Sequence, residues 1–345
     1  VSNPNILIGT SAYASANTVL LKEAGMEWVR SGFPFPFADR LGGSLTPEYL
    51  KARDKARAWA AKGFQVMGVS PQPGLGTYKP NASGELEFFW TNSLPAYMGE
   101  VNTGALSRRY REVCAFLADD LKDCVRGWQI ANELNHIQFA GPLKPRWACD
   151  LLIEGGIGLK ETAPSLFVGW NSCLPILAYY FYGRLHADPR QVFDYVGIDA
   201  YYGTWDPGAP EDWGNKIVEL FELTGTKVMV NEWGYASEGA VMSAEELSSH
   251  SGPNCSLKKW RYGWNGAHTP ETQAEFVRRA LDEMNRYKDY LCGVFFYRWE
   301  DQAVCWQCGQ PDCPVETRWG LVSEDNRPKP SYFAWKEGIG KLKAG

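Results

Sequence analysis

Residues 125–136 read VRGWQIANELNH, and the rest of the chain falls into place around them. Residues 125–132 have the length and apolar character of a short buried strand, with Glu133 where that strand should end. Residues 227–231 (KVMVN) repeat the design and are followed at once by Glu232. Both segments therefore close on Asn-Glu. A carboxylate at the junction of a buried strand and a loop costs free energy unless it is paired or put to use. Glu133 and Glu232 lie about 100 residues apart, or three units of about 33, and one strand-plus-helix unit takes roughly 30 residues or more. They are then three strands apart in a repeating chain. If eight such strands close on themselves, both acids face one mouth.

The flanking sequence supplies the other strands. Toward the N-terminus they are residues 6–8, 27–31 and 64–69; toward the C-terminus, 166–170, 195–201 and 293–299. Helical patterns fall between and after them, at 18–24, 46–62, 107–121, 146–161, 176–185, 211–223, 269–287 and 331–342. Thr46-Pro47-Glu48 and Thr269-Pro270-Glu271 each offer a threonine cap with proline at the first helical position. Residues 71–104 read as a long loop and 236–269 as an insertion. Short apolar strands alternating with helices predict a parallel sheet covered on both faces. The expected fold is α/β: a single (β/α)8 TIM barrel spanning residues 1–345, with long loops at its C-terminal face. A doubly wound open sheet is the alternative, but no glycine-rich phosphate loop follows the first strand.

Composition narrows the function classes. A net charge of −5 gives no general attraction to nucleic acid or to an acidic membrane. No apolar run reaches the roughly 18 residues a membrane span needs. Aromatic residues make up 14% of the chain, enough to fill a core and leave some for the apolar C–H faces of sugar rings. The chain opens VSNPNILIG, without a basic-then-apolar leader. We expect a secreted or extracytoplasmic, monomeric enzyme whose signal segment is not part of this sequence.

Active sites of such barrels gather at the C-terminal strand ends. Strand alternation places Val228, Val230 and Glu232 on one face, so Glu232 is expected to point inward. The same count groups Gln129, Ala131 and Glu133, and also Gly293, Phe295, Tyr297 and Trp299. Two facing carboxyls are the usual means of cutting a glycosidic bond, one as acid and the other as nucleophile or base. For that, their environments must push two similar pKa values apart.

At these motifs the chain resembles the retaining glycoside hydrolases of the (β/α)8 clan A, in which Asn-Glu ends strand four and a second Glu ends strand seven. The resemblance implies Glu133 as general acid/base and Glu232 as nucleophile. It implies that Asn132 binds the sugar 2-hydroxyl and that Trp299 lies beneath the cleaved sugar. Tyr201 would contact the nucleophile, and Arg30 would steady it. The strand-six pattern departs from the His-x-Tyr of several such families, reading Asp199-Ala200-Tyr201, with Tyr202 as a second match. His136 is expected either to contact substrate or to anchor its loop. Trp170, Trp205, Trp233 and Trp264 are further subsite candidates. Phe33, Phe35 and Phe37 either stack on substrate or pack under their loop.

The expected activity is retaining hydrolysis of a β-linked polysaccharide, as an endo-β-glucanase with β-1,3-glucan favoured. β-Mannan or xylan, or exo-action on shorter glycosides, are the alternatives. A non-catalytic carbohydrate-binding barrel would be expected to lack one carboxylate, and both are present. A histidine-bound catalytic metal is disfavoured: the four histidines, His136, His186, His250 and His268, have no ligand spacing. No cofactor is expected, and the only partner expected is an oligo- or polysaccharide. Nine cysteines cannot all pair within one chain. Cys305, Cys308 and Cys313 form C-x2-C-x4-C, and Cys255 lies in the preceding insertion. These four are expected as disulfides or as a structural zinc site. Cys114, Cys124, Cys149, Cys173 and Cys292 are expected as buried small apolar residues.

Overall fold

The computed structural model of the chain describes residues 6–174 and 177–344. Eight parallel strands close into a barrel. They are β1 (Leu7–Ser11), β2 (Trp28–Gly32), β3 (Gln65–Val69), β4 (Val125–Gln129), β5 (Phe167–Cys173), β6 (Tyr195–Ala200), β7 (Val228–Trp233) and β8 (Leu291–Phe296). Each pairs with the next in sequence, and β8 closes on β1 through Leu7 opposite Gly293. The helices that alternate with the strands are α1 (Thr18–Glu23), α2 (Pro47–Ala61), α3 (Gly104–Asp120), α4 (Pro145–Thr162), α5 (Ala178–His186), α6 (Asp212–Thr224), α7 (Pro270–Arg286) and α8 (Pro330–Ala344). Thr46 and Thr269 cap α2 and α7 through their side chains, each followed by proline in the first turn. Such a cap is worth about 1 kcal/mol. The expected α5 start, Ile176, lies outside the described residues. Among those described, no helix is long and apolar enough to cross a membrane.

Two apolar layers hold the barrel. Met67, Tyr195, Met229 and Phe295 fill its interior. Large side chains fit there because neighbouring strands offer glycine: a Cβ on Gly9 would lie 2.3 Å from the Phe295 ring, and one on Gly169 would lie 2.4 Å from Tyr195. The outer layer, between strands and helices, contains Val228, Val230, Ile198 and Val294.

This layering corrects the expected parity of β7. Val228 and Val230 face the helices, and Met229 faces inward. Glu232 reaches the mouth by another route. Ile198 pairs with Val230 and Asp199 with Glu232, so β7 carries one extra residue at this point. The β8 side shows the same slip. A bulge of this kind re-aims the side chains that follow it. Similarly, β4 ends at Gln129 rather than at 132. Ala131 (φ 51°) and Glu133 (φ 44°) occupy the left-handed region, so strand alternation does not extend to Glu133.

Residues 71–104, expected from sequence to be a loop, are not all irregular. Gly74–Pro80 and Leu86–Asn92 form an antiparallel hairpin. Its turn is closed by Asn81, whose side chain accepts from the backbone of Ser83 and Glu85. The hairpin is fastened to the mouth by Tyr78 N–H donating to the Gln307 carbonyl at 2.6 Å and by Gln138 Nε2 donating to the Gly76 carbonyl at 3.1 Å.

Candidate active site

Gln129, at the last position of β4, organises the floor of the mouth. Its Oε1 accepts from Arg30 Nε at 2.9 Å and from Asn231 Nδ2 at 3.0 Å. Its Nε2 donates to the Ala131 carbonyl at 2.7 Å and to Asn132 Oδ1 at 3.1 Å. The amide is fully used, and this fixes the Arg30 guanidinium. Arg30 then extends Nη2 to Asn132 Oδ1 at 2.5 Å and Nη1 to Glu232 Oε1. The second Glu232 oxygen accepts from the Tyr201 hydroxyl at 2.7 Å. Breaking a buried ion pair from one side costs about 3–5 kcal/mol, because a charge is left without its partner.

Glu133 is held by its backbone. Its N–H donates to Asn171 Oδ1 at 3.0 Å, and the neighbouring Asn132 N–H donates to Gln72 Oε1 at 2.7 Å. Ala131 N–H donates to Ser70 Oγ, which bonds the buried Tyr110 hydroxyl. Left-handed non-glycine residues cost about 1–3 kcal/mol each and persist where surroundings over-determine them. This network does so, and it presents the Glu133 carboxyl to Glu232 and Asp199. One oxygen from each of these three acids lies within 4.8 Å of the others.

Asp199 is the residue that the sequence reading did not place in the site. Asn171 Nδ2 donates to its Oδ2 at 2.5 Å. Its Oδ1 has no N–H or O–H donor, and the Glu133 carboxyl is its hydrogen-bond neighbour. Burial, then the Glu232 and Glu133 charges, raise the Asp199 pKa well above the usual carboxylate range. Burial, followed by the Glu232 charge, pushes Glu133 up to about 8. The Asp-x-Tyr pattern at 199–201 and the Asn171 after Trp170 were the available signals.

Above this floor is a cavity of about 840 Å³. Its walls come from the loops after β3 to β8: Tyr78, then His136 and Phe139, then Cys173 and Leu174, then Tyr201 and Trp205, then Pro253 and Tyr262, then Tyr297, Trp306 and Glu316. Glu316 is buried, and burial raises its pKa to about 8. It accepts from the Tyr297 hydroxyl at 3.1 Å and from Gln307 Nε2 at 2.6 Å.

The structure brings together Glu133, Glu232, Arg30, Asn132 and Tyr201 at one place. Tyr202 instead packs edge-on to Trp213. His136 and Trp205 line the cavity, and His136 Nδ1 also accepts from Gln138 N–H, capping a short helix. Four candidate tryptophans, Trp170, Trp233, Trp264 and Trp299, do not line the cavity. Trp299, Trp233 and Trp170 are fully buried, packed on Tyr332, Phe296 and Tyr182 respectively. The expected sugar platform at Trp299 is therefore corrected: the chain turns after Phe296, and Tyr297 lines the cavity. Trp264 rests on Phe276. Phe33, Phe35 and Phe37 are buried against Trp128, Tyr110 and Phe116. Cys173, expected in the core, is half-buried and lines the cavity.

No protein-family model matches the sequence, and no curated protein does. Solved structures share the fold. A β-glucuronidase from Bifidobacterium dentium complexed with coumarin-3-O-glucuronide aligns with a TM-score of 0.60 at 14% identity, over 98% of this chain and 47% of its own. The family 1 β-glucosidase from Thermotoga maritima aligns with a TM-score of 0.61 at 13% identity, over 94% of this chain and 85% of its own. An exo-β-1,4-mannosidase from Opitutaceae bacterium strain TAV5 gives 0.61 at 14% identity, over 99% and 60%. The chain spans about half the length of the β-glucuronidases it matches. The likeness is one of fold: a closed (β/α)8 barrel of the kind on which these glycosidases are built.

Proposed function

We propose that the protein is a retaining β-glycoside hydrolase with Glu232 as nucleophile and Glu133 as general acid/base. One observation carries this reading. Two carboxyls approach within 4.8 Å at a barrel mouth, and only Glu232 is ion-paired to Arg30. Retaining enzymes hold their carboxyls about 5–5.5 Å apart, against about 6.5–9.5 Å for inverting ones. Arg30 and Tyr201 each bond one Glu232 oxygen, which orients the carboxylate to attack the anomeric carbon. Glu133, raised to about 8, holds the proton for the leaving oxygen at neutral pH. Once Glu232 is esterified its charge is gone, the Glu133 pKa falls, and Glu133 takes a proton from the incoming water. Asn132 Oδ1 accepts from Arg30, Gln129 and Asn171, which leaves Nδ2 to donate to a sugar hydroxyl.

The cavity favours exo-action on short β-linked saccharides over the endo-β-glucanase expected from sequence. Loops wall it along six strands, and the hairpin is tied to the loop after β8. A long chain threading the site needs two open ends. The matched structure named as an exo-β-1,4-mannosidase supports this reading. A panel of aryl β-glycosides, with the first product followed by NMR, tests the chemistry: retained configuration supports it. Inverted product, or equal turnover by Glu232→Ala and the native enzyme, refutes it. Product sizing on laminarin separates monosaccharide release from internal cleavage.

A further inference from the structure

The cysteine cluster is separate from the carboxylates and plays no part in the chemistry above. Cys255 comes from the loop after β7, and Cys305, Cys308 and Cys313 from the loop after β8. Their four sulfurs all lie within 4.8 Å of one another. The Cys255–Cys305 Sγ separation is 3.9 Å. A disulfide requires about 2.05 Å. A tetrahedral zinc with Zn–S of about 2.3 Å places its sulfurs about 3.8 Å apart. Two disulfides would draw the sulfurs into separate pairs, whereas a single ion needs all four equally close.

The surroundings fit thiolate ligands. Backbone amides of Cys308, Gln310 and Val315 point at the sulfurs of Cys305, Cys308 and Cys313 respectively. Hydrogen bonds of this kind orient and stabilise ligating groups. The Lys258 ammonium, bonded to Asp312, sits close enough to interact with Cys313 and Cys308. Cys255, Cys305 and Cys313 are buried in a satellite apolar cluster with Trp260, Val315 and Trp319.

We infer that these four cysteines form a closed tetrathiolate zinc site that clamps the loop after β7 to the loop after β8. Four protein ligands leave no open position, so the site is structural. Its consequence is local. Pro253 and Asn254 immediately precede Cys255, and Trp306 and Gln307 lie between Cys305 and Cys308; all four line the cavity. The ion therefore fixes one wall of the substrate site. This inference stands whether or not the barrel cleaves sugars.

The test is metal analysis of the native chain, expressed with zinc in the medium and purified without chelator or metal-affinity resin. About one zinc per chain is expected, with four thiols becoming reactive when it is stripped. Cys308→Ser should lose the zinc, while Cys292→Ala should keep it. If Cys308→Ser does not fold, cobalt exchanged into the native protein should show tetrahedral thiolate absorption. Substoichiometric zinc overturns the inference, whether the four sulfurs are then free, disulfide-paired or bound to iron. Zinc retained in folded Cys308→Ser overturns it equally.

Discussion

The dipeptide Asn-Glu occurs at 132–133 and again at 231–232, and the two copies end in different surroundings. Both glutamates are 8% exposed, so burial does not distinguish them. Their partners do. Glu232 lies within an extended strand and receives Arg30 and Tyr201. Glu133 lies on a left-handed turn and faces two other acids, and among the described residues no cation is bonded to it. The asparagines differ as well: Asn132 joins the Arg30 network through its oxygen, whereas Asn231 turns into the barrel and donates to Gln129. Identical local sequence thus yields one glutamate bonded by a guanidinium and a phenol and one facing other acids, the asymmetry on which the proposed roles rest. The split is made by residues brought from β2 and β6.

The largest blow to this asymmetry is removal of the proposed nucleophile. Glu232→Ala should lower kcat by at least about 10⁴-fold on every substrate, as loss of a nucleophile does elsewhere; steady-state kinetics reads it. Glu133→Ala should cost about 10²–10⁴-fold where the leaving group needs a proton. It should cost far less on aryl glycosides that leave unaided, so the ratio of the two substrates identifies the acid. Arg30→Ala leaves Glu232 buried without its cation, and thermal or denaturant unfolding should show a loss of about 3–5 kcal/mol.

Two pH measurements sharpen the comparison further. Because Glu133 must hold its proton to act, kcat/KM should fall as pH rises through about 8. A limb near the ordinary carboxylate value of 4.5, with none near 8, would place the acid elsewhere. The same shift acts on stability with a defined sign. The folded state holds a proton that the unfolded chain gives up, so stability is lost as pH rises from about 4.5 to about 8. Glu133→Gln has no such proton to hold. It should therefore be more stable than the native protein at pH 8, by about 4 kcal/mol if the whole shift is realised, with the difference vanishing near pH 4.

Much of the barrel was legible because strand–helix alternation is a local signal. Runs such as residues 195–200 and 228–233 are apolar and of strand length, and Thr-Pro-Glu marks helix starts wherever it lies. The hairpin at 74–92 was less legible: its proline and glycine content resembles loop, and its pairing depends on an Asn81 turn. Parity at β7 misled, since a bulge leaves no mark in hydrophobic pattern. The tryptophans misled for a related reason. Trp170, Trp233 and Trp299 sit near strand ends in sequence, but which side of the barrel wall a ring takes is set by packing against α5 and α8. Asp199 was seen as a departure from a pattern, and its closeness to Glu133 shows only when β4 and β6 are brought together across β5.

The residue order by itself determined the eightfold strand–helix alternation, the two acids, and the four cysteines that can meet between adjacent loops. Apolar periodicity, caps and residue type are properties of a few neighbours in the chain, and a reader of the chain has them all. Tertiary structure alone decided which glutamate meets the arginine, which lies beside Asp199, and which aromatic rings line the cavity. Those outcomes depend on electric fields and contacts acting over a few ångströms between segments far apart in sequence. No single segment carries that information until the barrel closes.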